Sequence, residues 1–128
     1  MVKHIVEILV LTVGICVATA GAQAGQGSYV PCDNGLRCVM APCPSNSALD
    51  LATGKIVKGI WIDIDGLSQQ DRALDLPDKL YAGKVVIAGT IENRPHDFNG
   101  KKYNLPTLVA SGIERVAKDS ERGHCSAR

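Results

Sequence analysis

Aromatic side chains are scarce: Trp61, Phe98, Tyr29, Tyr81 and Tyr103 make up 4% of the sequence. So few rings exclude a stacking platform of the kind that holds single-stranded nucleic acid. An excess of charge is missing too, because 14 Lys and Arg face 13 Asp and Glu for a net charge of +1. That balance removes the electrostatic case for nucleic acid or for an anionic membrane surface. There is no Cys-x-x-Cys, which excludes a thioredoxin-like redox centre. No serine stands in a Gly-x-Ser-x-Gly elbow, which removes the commonest hydrolase signature. The uncharged run from Ile8 to Ala22 is shorter than the roughly 17–25 residues that span a bilayer. What remains suits one ordinary globular domain: 128 residues, 45% hydrophobic and 21% charged.

The first 24 residues read as an address. Lys3 supplies a weakly positive start, the apolar run follows, and Ala20-Gly21-Ala22 and Ala22-Gln23-Ala24 both fit an A-x-A cleavage site. Residues 1–24 are therefore expected to be a signal peptide cleaved after Ala22 or Ala24, giving a secreted or periplasmic protein with no membrane attachment. Glu7 is unusual for such a segment, and an uncleaved anchor is the competing reading. Cys16 suggests lipid attachment, but bulky Ile15 stands where a small residue is required.

Four cysteines follow: Cys32, Cys38, Cys43 and Cys125. An even number in a small exported chain points to two disulfides. Cys125 must reach back to one of the first three, closing nearly the whole domain into a loop. Such a cross-link stabilises by about 4–5 kcal/mol in the chain-entropy description. The other pair closes a short loop stiffened by Pro31, Pro42 and Pro44. Three pairings stay open. A zinc site with His124 competes, but the x5 and x4 spacings and the remote Cys125 fit structural zinc poorly. No metal and no cofactor is expected.

Residues 25–46 read as a Cys- and Pro-rich leader of little periodicity, with only Leu36 to Met40 suited to a short strand. A β-barrel-like domain is expected over 47–117, and a polar tail over 118–128 is tethered through Cys125. In 56–65, Ile60, Ile62 and Ile64 fall on one face and Trp61, Asp63 and Asp65 on the other. This strand pairs with 48–52 as a hairpin. Ser68 to Asp71 resembles a capping box, so a short helix is expected in 67–82, stopped by Pro77. Residues 84–92 are apolar on both faces up to Ala88 and suit a central strand. Asn99-Gly100 is a strong hairpin-turn signal, and 107–117 form the last strand. Gly89 and Gly112 suit bends. The chain is thus all-β with one short helix. It is expected to form a small antiparallel OB-like barrel, with a β-sandwich as the alternative, stapled by two disulfides.

The run Cys38-Val-Met-Ala-Pro-Cys43-Pro-Ser, then Ala48-Leu-Asp-Leu and Ile62-Asp-Ile-Asp, resembles small secreted bacterial domains of uncharacterised activity. Val85-Val-Ile-Ala-Gly89-Thr-Ile and Leu108-Val-Ala-Ser-Gly-Ile113 look like their closing strands. Such domains look like netrin-type modules, which implies an OB-like barrel with an N-terminal segment disulfide-bonded to it. The inhibitors of tissue metalloproteases among netrin modules open on a Cys-x-Cys. Here Asn34 stands two positions after Cys32, so that mechanism does not carry over.

Several groups are candidates for function. Asp63 and Asp65 suit solvated strand-end acids better than a calcium loop, because the twelfth position from Asp63 is Leu74. His96 and Asp97 are adjacent, and a hydrolase using them is the enzymatic alternative, although no nucleophile motif accompanies them. Trp61 is either a second-core residue under the leader or helix, or a recognition anchor. The loop between Cys32 and Cys43 is preorganised for binding, with Leu36, Arg37 and Met40 as contact residues, and a secreted protease inhibitor is one use of it. The expected role is a monomeric, non-enzymatic binding or envelope-associated module. Its partner would be a protein or a small molecule, not nucleic acid.

Overall fold

The computed structural model describes residues 26–127. The expected signal segment 1–24 lies outside them. Five strands, β1 Gln26–Asp33, β2 Asn46–Asp50, β3 Ile56–Asp63, β4 Val85–Phe98 and β5 Lys101–Val116, close into a barrel in the order β1-β2-β3-β5-β4. A short helix, α1 Leu76–Ala82, links β3 to β4, and a single 3-10 turn, Asp119–Glu121, opens the tail. All ladders are antiparallel except β3–β5, where Trp61 pairs with Thr107 and Asp63 with Val109 in parallel. This order is that of an OB-like barrel. The core is aliphatic apart from Tyr29: Ala48, Ile60, Leu67, Leu76, Val85, Ile87, Leu108 and Ala110 fill it.

Several sequence expectations change. The segment read as an aperiodic leader supplies β1, and Leu36–Met40 form no strand. The reason is burial. From Tyr29 to Asp33 every residue of β1 is buried, so alternation disappears. Pro31 is tolerated because the ladder to β4 ends at Tyr29. Pro77 does not stop the helix; it sits in the first turn of α1. There its missing N–H is one that no helix would satisfy. The Ser68 side chain does cap a turn, accepting from the Asp71 N–H at 3.1 Å, but that turn precedes α1.

β4 and β5 run far past the expected ends, to Phe98 and from Lys101. Beyond the barrel they continue as a two-stranded arm, 92–106, closed at Asn99-Gly100. Both turn residues have positive φ, 53° and 78°, the signature of a type I′ turn. Gly89 lies at a register shift in the β4–β5 ladder. A β-carbon there would lie 2.3 Å from the Val109 carbonyl oxygen, so the bend requires glycine. At Gly112 the space is open.

Two disulfides staple the barrel. Cys32–Cys125 spans 93 residues and Cys38–Cys43 spans 5. The first is buried and packs against Gly83, tying the tail to β1. The second is at the surface. Two cystines mark an oxidising environment. Among the described residues, no helix is long and apolar enough to cross a membrane.

Candidate binding site

The loop from Asn34 to Ser45 rises from the end of β1 and is anchored at its base. Asp33 is buried, and its carboxylate accepts hydrogen bonds from the Gly35 N–H, from Arg37 and from the Ser126 hydroxyl. Burial pushes this carboxyl up. The hydrogen bonds from Arg37, Ser126 and Gly35, with the Arg37 charge, outweigh it and hold the group below its ordinary value. Arg37 also reaches the Tyr81 hydroxyl of α1 at 3.3 Å. The loop base, the tail and the helix are thus tied at one point.

At the tip the chemistry reverses. Val39 is fully exposed and Met40 is 77% exposed, beside the Cys38–Cys43 bridge. Leu36 is half-exposed on the same loop. Among the sequence candidates, Leu36 and Met40 stand free, whereas the Arg37 guanidinium is engaged by Asp33. Val39 joins them at the tip, and its place between Cys38 and Met40 in a cystine loop is a signal readable in the sequence.

Trp61 lies below this loop on β3. It is half-buried, and its ring partners come from the arm: His96 at 5.5 Å and Phe98 at 5.3 Å between ring centres. Tyr103 extends the row, 6.0 Å from Phe98. The indole Nε1–H is buried with no hydrogen-bond partner. Two cavities flank this side chain. One, of about 530 Å³, lies toward Leu36, Arg37, Leu80 and Tyr81. The other, of about 430 Å³, lies toward Asp63, Arg94, His96 and Thr107. Trp61 and Ile62 line both.

The remaining candidates separate. His96 Nε2 is 2.9 Å from Thr107 Oγ1, and that hydroxyl donates to the Leu105 carbonyl at 3.0 Å. With the threonine proton on that carbonyl, Nε2 is the donor of the pair. A His-activated Thr107 nucleophile would need the opposite arrangement. Asp97 leaves β4 on the face opposite His96, because neighbours alternate along a strand. Asp63 caps its own turn, accepting from the Asp65 N–H at 2.9 Å, and lies 3.5 Å from Arg94. His124 donates from Nε2 to the Val30 carbonyl at 2.9 Å. It clusters with Cys32 and Cys125, but those sulfurs are bonded to each other and offer no thiolate.

Comparison with protein-family models, with curated proteins and with solved structures finds no match for this chain.

Proposed function

We propose that this is a secreted, non-enzymatic binding module, exported through residues 1–24 and akin to the small bacterial netrin-type domains it resembles. One observation carries the reading. The barrel core is filled, yet two cavities meet at Trp61 beside a cystine-braced loop whose apolar tip, Val39 and Met40, is exposed. A loop braced by a disulfide loses little entropy on binding. A photo-crosslinking amino acid at Val39, with the same probe at exposed Leu74 as control, tests this in the exporting cell. A discrete adduct at position 39 and none at 74 is expected. No adduct at 39 would remove the proposal.

The protease-inhibitor reading has one observation in its favour: Val39 and Met40 project from a loop closed by a 5-residue bridge. Met40, not Arg37, is then the residue that enters a specificity pocket. Inhibition that survives Met40→Asp would exclude this use of the loop.

A further inference from the structure

The cleft under the arm has a more specific chemistry than a general docking surface. Its acceptors and donors are incompletely spent. Arg94 reaches Asp63 at 3.5 Å and Glu92 at 3.4 Å, the outer limit for hydrogen bonds, so a five-donor guanidinium is held loosely between two carboxylates. His96 engages Thr107 through Nε2, which leaves its second ring nitrogen, Nδ1, for a further hydrogen bond. The Trp61 ring lines the cleft beside these groups, with the His96 and Phe98 rings 5.5 and 5.3 Å from it between centres.

We infer that this cleft binds a neutral, polyhydroxylated chain, a glycan segment. A sugar ring would pack against the Trp61 side chain, and its hydroxyls would pair with Asp63 and Arg94. This deepens the binding-module reading and rests on it. A hydroxyl both donates and accepts, which matches a site offering both roles. A polyphosphate meets Asp63, Asp65 and Glu92, with Arg94 already balanced by two of them. A purely apolar ligand would desolvate Arg94 and Asp63 without return. An extended peptide adding as a strand needs a free edge. At 61–63, β3 is occupied by β5 on one side and its other edge, past the β2 ladder that ends at Ile60, is only three residues long, and each arm strand carries a proline, Pro95 and Pro106, which obstructs edge pairing.

Trp61 is the only tryptophan, so its emission reports on the cleft directly. The exported protein is titrated with cellotetraose, xylotetraose and chitotetraose, and in parallel with inorganic phosphate and an unstructured peptide. A saturable emission change with at least one oligosaccharide is expected at millimolar affinity or tighter. Asp63→Asn and Arg94→Gln should each weaken it about tenfold while the unfolding midpoint holds, and Leu74→Ser should leave it unchanged. Silence with all three sugars overturns the inference, as does a saturable response to phosphate or peptide alone. Undiminished binding by both cleft variants also overturns it. If the sugars are silent while the probe at Val39 still captures a partner, the glycan falls and the binding module stands. If both are silent, both fall.

Discussion

Between Ile87 and Thr90, β4 is bonded to β1 on one side and β5 on the other. From Glu92 to Phe98 it has β5 alone. The same two strands therefore meet two environments. In the barrel Val85, Val86 and Ile87 are buried, and both faces are apolar. In the arm, burial alternates: Arg94, His96 and Phe98 are half-buried while Asn93, Pro95 and Asp97 are exposed. One face of the arm lies over Trp61, and the other meets water. The barrel holds the fold, while the arm and the cystine loop shape the cleft.

The contrast is sharpest at the disulfides. Removing the long bridge by Cys32→Ser with Cys125→Ser should cost about 4–5 kcal/mol, while Cys38→Ser with Cys43→Ser should cost about half that or less, because a short loop has little entropy to lose. Equilibrium denaturant unfolding measures both, and equal losses would break the comparison. Among core residues, Leu108→Ala in the barrel should cost about 2–5 kcal/mol. In the arm, Phe98→Ala should cost about 0.5–1.5 kcal/mol for its ring contacts. If Phe98→Ala matched Leu108→Ala, the arm would be part of the cooperative core.

Gly89 and Gly112 sharpen the comparison within β4 and β5. Gly89→Ala forces a β-carbon against backbone and should lower stability by about 1–3 kcal/mol. Gly112→Ala meets open space and should stay within about 0.5 kcal/mol. The smallest effects concern acid. Hydrogen bonds from Arg115 and from the Lys118 N–H lower the Glu121 carboxyl to about 2, and Asp33 is also held low. A carboxyl depressed in the folded state contributes stability that is present above its unfolded value and lost as pH falls through the folded one. Stability should therefore decline as pH drops from the ordinary carboxylate range toward about 2. Arg115→Ala should flatten that decline, which urea midpoints against pH would show.

Parts of this were legible in the residues. The β2–β3 hairpin, the central strand after Lys84 and the Asn99-Gly100 turn follow from period, apolar runs and turn chemistry, all of which act over a few neighbours. The cysteine count specified two bridges but left their pairing open. The His96–Asp97 adjacency was no sign of a shared site, because strand alternation sends neighbours to opposite faces. Arg94 and Tyr81, which complete the cleft and the loop base, carried no local signal, since each acquires its partner from a distant strand or loop.

The sequence by itself determined the strands, one hairpin turn, a glycine bend, an oxidised framework with one long-range bridge, and the barrel class. Only the tertiary structure decided that β1 comes from the Cys- and Pro-rich segment, that β3 runs parallel to β5, that Cys32 takes Cys125, and that Trp61 sits under the arm. Closing a barrel pairs strands far apart in the chain and buries some on both faces. That erases the alternation that makes a strand readable, and it places side chains together through contacts that local patterns do not encode.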